Sequence, residues 1–257
     1  MNILNLIYNR NFYKYIALLI IILNILLLYS LKVSTYDLIL SLLISYGIFV
    51  FYNNNQLKLD KNTNIFQLGL GTFLLFLTLY RSFWLHIGDN FVYLFLPLLL
   101  ISTSLFFTNI SMIIKNLYPL FIALLFPIGK LIFIPLAIII NPISTLTTWL
   151  LLNAFGFYSV LDGQEIFYNN FGISVTFSCS GAGQIIFCIT AMIIFNFCFP
   201  LENNKIFFVQ LYRSFLITFS INIIRLFILT IYSNTANTVE FSVFDYLHGG
   251  NGGLFFS

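Results

Sequence analysis

Long apolar runs, separated by short polar segments, dominate the chain. Their lengths approach the roughly 20 residues with which an α-helix crosses the hydrocarbon core of a bilayer. The runs occupy residues 15–31, 37–52, 65–80, 91–114, 117–140, 185–200 and 206–232. This pattern predicts an all-α polytopic membrane helix bundle of about seven spans.

The segment between the fifth and sixth runs has a different pattern. Beyond Asn141-Pro142, residues 143–155 mix hydroxyl and amide side chains with leucines, which is typical of an amphipathic helix lying at a membrane interface. Residues 157–161, 164–168 and 173–177 are short β-prone stretches separated by turns that contain Asn and Gly. We therefore predict an interfacial helix, separate from the fifth span, followed by a small three-stranded β-meander.

Composition places the chain in a membrane. Of its 257 residues, 60% are hydrophobic and only 7% are charged, and the mean hydropathy is +0.98. A water-soluble domain could not bury that much apolar surface behind so few charges. The net charge of +3 is too small to indicate a nucleic-acid partner. No linker or internal repeat divides the sequence, so we predict a single integral-membrane domain over residues 1–257.

Positive charges predict the orientation. Arg10 and Lys14 precede the first run, and Lys58 and Lys61 follow the second. Because cytoplasmic loops of membrane proteins carry an excess of Lys and Arg, both segments should be cytoplasmic. The first run has no small-residue cleavage site after it, so we expect it to remain as a signal anchor. Counting spans from there puts the meander and the C-terminal residues on the extracytoplasmic side of the cell membrane.

A cysteine stands where the meander meets the sixth run. Cys179 lies between Ser178 and Ser180 and is followed closely by Gly181. We expect it in the first turn of the next helix, where free N–H groups and partial positive charge favour a thiolate, which is a nucleophile. Cys188 and Cys198 lie within the apolar run and are expected to be inert small apolar residues.

Two ionisable residues are predicted to lie on the same side of the membrane as Cys179. Arg225, within the last span, is costly to bury in a bilayer and needs a partner; Asn222, one turn earlier, could hold its guanidinium. His248 could supply acid–base chemistry near neutral pH. Each also has a simpler interpretation, as a snorkelling arginine that only sets topology and as a solvated histidine in a Gly-rich tail.

The ordered set of Cys179-Ser180-Gly181, Asn222-x-x-Arg225 and His248 in a multi-pass protein resembles the exosortase/archaeosortase family of membrane transpeptidases. Proline, Trp-Leu and Gly-x-x-Ile elements between residues 127 and 166 match the family as well. The resemblance covers residues 117–253, whereas the first four spans match only as hydrophobic segments. Members of the family usually continue beyond the histidine into a further membrane helix, so this sequence is either truncated or tethers its histidine more loosely.

The resemblance implies a membrane cysteine transpeptidase or protease that recognises a C-terminal sorting signal on secreted proteins. Such an enzyme cleaves through a thioester and passes the new carboxyl end to an acceptor, without a cofactor or metal ion. Cys179 would be the nucleophile, His248 the general acid/base, and Arg225 the group that stabilises the thiolate or the oxyanion. The supporting positions would be Ser178, Ser180, Gly181 and Asn222.

Two other functions stay open at this point. A small-solute transporter could line a polar path with Arg225 and Lys130, although the sequence lacks the paired, interrupted halves of many transporters. A non-catalytic subunit of an envelope or polysaccharide export system would use the meander only to dock a partner. A transpeptidase requires the Cys179 sulfur, the Arg225 guanidinium and the His248 ring around a common point. The expected partners are the lipid bilayer and secreted proteins that carry a C-terminal sorting signal.

Overall fold

The structure is a computed structural model that describes residues 10–54, 65–86, 89–107, 117–169, 171–177, 179–201, 203–233 and 248. The helices within those ranges are α1 (Arg10–Ser30), α2 (Thr35–Asn54), α3 (Ile65–Ser82), α4 (Val92–Phe107), α5 (Leu117–Ala154), α6 (Ala182–Cys198) and α7 (Asn204–Ile231). Helices therefore dominate the described chain, and the predicted helical membrane architecture is confirmed.

Not every helix has the length of a full span. Helices α2, α3, α5 and α7 are long and apolar enough to cross a membrane. Helices α1, α4 and α6 contain shorter apolar stretches. Large apolar side chains such as Phe76 and Leu131 point outward, as lipid-facing residues do. The count of seven spans stays a prediction.

The chain divides into two compact units. The first unit contains Met1–Ile128 with Phe197–Phe199, and the second contains Gly129–Asn196 with Pro200–Ser257. The boundary between Ile128 and Gly129 falls inside α5. The single domain over residues 1–257 stays a prediction, and the candidate site lies in the second unit.

Small and polar side chains hold neighbouring helices together in the first unit. Ser102 on α4 donates its hydroxyl to the carbonyl oxygen of Gly71 on α3 at 2.8 Å. A Cβ at Gly71 would lie 3.2 Å from the carbonyl oxygen of Ser102 and from the Cβ of Leu105, so the close approach of the two helices depends on glycine. Asn24 on α1 donates to the Ser41 hydroxyl on α2 at 2.9 Å. Such bonds hold helices together where apolar burial against lipid gives little preference.

The longest helix, α5, passes through Asn141-Pro142 without interruption. The predicted division into a span at 117–140 and a separate interfacial helix at 143–155 is therefore wrong. A proline removes only one backbone donor, and the polar side chains beside it are buried in the folded unit instead of facing an interface. Thr145 donates to the carbonyl oxygen of Asn141 at 2.9 Å, for example. With 38 residues, α5 is about 57 Å long, nearly twice the hydrocarbon thickness of a bilayer.

A three-stranded antiparallel meander follows α5, as predicted. Its strands are β1 (Val160–Asp162), β2 (Glu165–Tyr168) and β3 (Phe171–Ser174), adjacent in that order. Ile166 pairs with Ile173 across β2 and β3, and both side chains are buried. The meander therefore presents an apolar face to the rest of its unit.

The strand ends differ from the prediction by a few residues. Asp162 pairs with Glu165, so the first turn lies at Gly163-Gln164 and not at Asp162-Gly163. Gly163 has a φ of +58°, which glycine adopts at little cost. The third strand ends at Ser174 and not at Phe177. Residues 175–177 therefore belong to the loop that connects the strand to the cysteine.

The core of the second unit surrounds the segment that follows β3. Its buried residues are Leu152, Ile166, Ile173, Val175, Cys179, Leu226 and Leu229. They come from α5, the meander, the loop after it and α7. Trp149 fastens the end of α5 to the start of the meander by donating its indole N–H to the carbonyl oxygen of Ser159 at 3.0 Å. The predicted nucleophile is thus a core residue of this unit.

Candidate active site

Local hydrogen bonds shape the loop that carries Cys179. The backbone N–H of Val175 donates to the carbonyl oxygen of Gln164 at 2.9 Å, which extends the sheet edge by one residue. The N–H of Cys179 then donates to the carbonyl oxygen of Thr176 at 2.9 Å and closes a turn. Cys179 is only 7% exposed. Ser178, a predicted supporting residue, lies outside the described residues.

Ser180 and Gly181 form the rest of the loop. The hydroxyl of Ser180 donates to the carbonyl oxygen of Phe177 at 2.7 Å and accepts from the N–H of Ala182 at 3.3 Å. Gly181 has a φ of +88°, and a Cβ there would lie 2.8 Å from the side chain of Asn222. The Cys-Ser-Gly sequence therefore has a structural reason: serine bonds the loop to itself, and only glycine allows the loop to approach α7 this closely.

The predicted position of Cys179 in the first turn of a helix is wrong. Helix α6 begins at Ala182, three residues later, and its first intrahelical bond runs from Ile185 N–H to the carbonyl oxygen of Gly181. The partial charge of a helix terminus weakens beyond the terminal turn. A side chain with a full positive charge is then the more effective stabiliser of a thiolate at this position.

Asn222 and Arg225 reach the cysteine from α7. They are three residues apart, hence on one face of the helix, and are 2% and 4% exposed. Asn222 donates its Nδ2 to the carbonyl oxygen of Cys179 at 3.2 Å. The Arg225 guanidinium lies within electrostatic range of the Cys179 thiol. The structure thus places Asn222 and Arg225 on the face of α7 that approaches Cys179. Asn222 was expected to hold the Arg225 guanidinium, whereas its Nδ2 binds the carbonyl oxygen of Cys179.

Burial separates Arg225 from the other basic residues considered in the sequence. Arg213, on the same helix, and Lys130, on α5, both have exposed side chains. A snorkelling arginine would extend along the protein surface toward water, whereas Arg225 is enclosed by protein. The simpler interpretation fits Arg213 and does not fit Arg225.

His248 is described as a single exposed residue. Residues 234–247 and 249–257, on either side of it, lie outside the described part of the chain. Its approach to Cys179 therefore stays a prediction.

A row of buried polar residues on α5 was not predicted from the sequence as part of the site. Asn141, Ser144, Thr145 and Thr148 are all buried, and their spacing places them on one face of the helix. Ser144 donates its hydroxyl to the carbonyl oxygen of Ser180 at 2.9 Å. The cysteine loop is therefore held by two helices, by α5 through the bond from Ser144 to Ser180 and by α7 through the bond from Asn222 to Cys179. The spacing of these residues was visible in the sequence, but it was attributed to a helix at the membrane interface.

The donor set of this site is a thiol, a guanidinium, hydroxyls and amides. Among the described residues, no group of three or more His, Cys, Asp or Glu side chains is arranged to hold a metal ion. The three cysteines are free thiols. The arrangement is suited to reactions at a sulfur nucleophile beside a fixed cation.

Comparison with known proteins identifies the family. The family model described as transmembrane exosortase matches residues 30–257. The chain belongs to the transmembrane exosortase family. The match includes α2 to α4 as well as residues 117–253, which contain the family motifs. No curated protein and no solved structure matches the chain. As an exosortase with long apolar helices, the protein is located in a membrane.

Proposed function

We propose that this exosortase is a cysteine transpeptidase or protease that cleaves the C-terminal sorting signals of secreted proteins. The observation that carries the proposal is the buried cluster of Cys179, Asn222 and Arg225. In it, α7 contributes a hydrogen bond from the Asn222 side chain to the cysteine loop and the positive charge of Arg225. The cell membrane, with the site on its extracytoplasmic face, is the proposed location, because it follows from the Lys and Arg residues near the N-terminus.

In the first step, the Cys179 sulfur attacks the carbonyl carbon of the scissile peptide bond. A carbon–sulfur bond forms, the carbon–nitrogen bond breaks, and the leaving amine takes a proton from His248. The product is a thioester that joins Cys179 to the N-terminal part of the substrate. In the second step, water or an amine attacks the thioester and gives its proton to His248, and the carbon–sulfur bond breaks. Cys179 leaves as a thiolate, which restores the starting pair of thiolate and protonated His248.

Arg225 has two roles in this reaction. Its positive charge favours the thiolate before attack, and the same charge stabilises the oxyanion that forms as the carbonyl carbon becomes tetrahedral. Burial strengthens both effects, because the charge acts through a medium of low dielectric constant. Asn222 binds the carbonyl oxygen of Cys179 and so holds the cysteine loop in a fixed position relative to Arg225.

The experiment is processing of a tagged precursor in cells that express Cys179→Ala or Cys179→Ser. The precursor is a secreted protein from the same genome whose C-terminus combines a short motif, a hydrophobic helix and a basic tail. We expect cleavage to fall to background in both variants. Cys188→Ala and Cys198→Ala are matched controls, since both remove a thiol from α6, and both should process the precursor normally. Normal processing by Cys179→Ala would refute the enzymatic function and favour a non-catalytic subunit.

A further inference from the structure

Unpartnered polar atoms are concentrated in the second unit. Five buried side-chain oxygens in the described residues have no hydrogen-bond partner, and four of them belong to Asn141, Thr148, Gln184 and Asn222 of this unit. Folded proteins leave few such atoms, because an unpaired buried polar group is destabilising. Atoms of this kind near a reactive group are candidates for binding a ligand.

Thr148 is the clearest case. Its side chain has no exposed surface, and its hydroxyl makes no bond to any described residue. Threonine in a helix ordinarily donates its hydroxyl to the carbonyl oxygen four residues earlier, and two neighbours on α5 do so. Thr145 donates to Asn141 at 2.9 Å and Thr147 to Ile143 at 2.7 Å. The Thr148 hydroxyl lacks this bond, so it is available to another group.

The neighbours of Thr148 along α5 locate that hydroxyl near the cysteine loop. Ser144, four residues earlier, bonds to the carbonyl oxygen of Ser180. Leu152, four residues later, belongs to the same buried cluster as Cys179. Residues four apart lie one above the other on a helix face. Thr148 therefore lies between two residues that contact the loop or its cluster.

Asn222 provides a second unpartnered atom, on α7. Its Nδ2 is bound to the carbonyl oxygen of Cys179. A carbonyl oxygen can only accept, so this bond fixes Nδ2 as the donor and leaves Oδ1 as a free acceptor. That oxygen has no partner among the described residues. The two helices that bond the Cys179-Ser180 segment thus each carry one unpartnered buried polar group, the Thr148 hydroxyl on α5 and Oδ1 of Asn222 on α7.

We propose that Thr148, together with Asn222, binds the main chain of the substrate beside Cys179: the Thr148 hydroxyl donates to a carbonyl oxygen of the peptide, and Oδ1 of Asn222 accepts from a peptide N–H. The proposal rests on the proposed function, because it assumes that a peptide reacts at Cys179. A peptide that delivers its carbonyl carbon to the sulfur carries further carbonyl oxygens and N–H groups along its main chain. One hydroxyl donor and one amide acceptor on the helices that hold the cysteine loop suit this ligand. Hydrogen bonds to the main chain do not depend on which side chains the substrate carries at these positions.

The test replaces Thr148 by valine, which has the same shape without the hydroxyl, and by serine, which keeps the hydroxyl. Precursor cleavage in cells gives the rate, and thermal unfolding of the purified protein gives the stability. We expect Thr148→Val to slow cleavage about fivefold or more, the effect of about one hydrogen bond, and to unfold no earlier than the wild type. Thr148→Ser should retain most of the rate. Thr145→Val is the control, because it removes a buried hydroxyl that is already bonded within α5, and it should retain the wild-type rate.

A second measurement distinguishes a substrate site from a site for the attacking water or amine. Hydroxylamine cleaves thioesters, so it accelerates product release when the second step is slow. If Thr148 binds the substrate, thioester formation is the slow step in Thr148→Val, and hydroxylamine will not restore the rate. Rescue by hydroxylamine would overturn the proposal. So would a wild-type rate for Thr148→Val, or equal losses in Thr148→Val and Thr145→Val, in a background where Cys179→Ala is inactive. A wild-type rate for Cys179→Ala would instead refute the proposed function itself.

Discussion

Replacing Gly181 with alanine tests the packing of the cysteine loop against α7. The φ of +88° at Gly181 is a conformation that costs an L-residue about 1–2 kcal/mol. The new Cβ would also lie 2.8 Å from Cγ and Nδ2 of Asn222, so the amide must move. Its bond to the Cys179 carbonyl oxygen would be lost, at about 1–3 kcal/mol for a buried group.

The two effects together predict a loss of about 2–5 kcal/mol in the free energy of unfolding. For a chain of this size that corresponds to a thermal midpoint lower by about 4–20 °C. Precursor cleavage should fall as well, because Cys179 loses its register with Arg225. Gly183→Ala is the matched control two residues away: its Cβ would meet only Phe133 at 3.8 Å, and no positive φ is recorded there. Since Gly183 lies in α6, alanine should stabilise it by about 0.5–1 kcal/mol.

A double-mutant cycle with Asn222→Ala isolates the steric part. Asn222→Ala removes the two closest atoms and leaves only the Cβ, at 3.0 Å. The losses from Gly181→Ala and Asn222→Ala should therefore not add, with a coupling of about 1 kcal/mol or more, as is usual for residues in contact. The assay is thermal or denaturant unfolding of the purified protein in detergent. Additive losses, or a Gly181→Ala variant as stable as Gly183→Ala, would refute the described contact between the loop and α7.

Two further substitutions test the groups on either side of the loop. Arg225→Lys should slow precursor cleavage about 10- to 100-fold, because an ammonium lacks the planar fork of a guanidinium and a charged hydrogen bond contributes about 1.5–3 kcal/mol. Arg213 is exposed, so Arg213→Lys should cleave the precursor at the wild-type rate. Equal losses in the two variants would argue for a general charge effect. Ser144→Ala leaves the Ser180 carbonyl oxygen without its bond and should lower the thermal midpoint by about 2–8 °C, from a loss of about 1–2 kcal/mol. Thr147→Ala, which loses only a bond within α5, is its control, and a similar shift in both would contradict a specific role for Ser144.

The helices were predictable because apolar runs of this length have few other structures available to them in a membrane protein. The common face of Asn222 and Arg225 was also predictable, since residues three apart on a helix share a face and a buried arginine needs a partner. The bond from Asn222 to the carbonyl oxygen of Cys179 was not, because it depends on how closely the loop packs against α7. The meander was predictable from its turns, whereas its exact strand ends depended on which residues of each turn adopt positive φ.

The errors have a common physical origin in tertiary burial. Asn141-Pro142 appeared to end a helix, and the hydroxyl residues after it appeared to face an interface. In the folded unit those side chains bond to the cysteine loop and to the meander, as Ser144 does to Ser180 and Asn141 to Gln164. One missing backbone donor at a proline is then outweighed by packing along the whole helix. Local pattern alone cannot distinguish a polar face directed at water from one directed at a buried site.

The most direct test of the account is to identify the covalent intermediate. Wild-type protein would be incubated with the tagged precursor, quenched in acid and digested, and the peptide that contains Cys179 would be examined by mass spectrometry. The account predicts that this peptide carries the N-terminal fragment of the precursor through a bond that hydroxylamine cleaves, and that Cys179→Ala carries none. Product formation with no adduct on Cys179, or with an adduct on another residue, would contradict it.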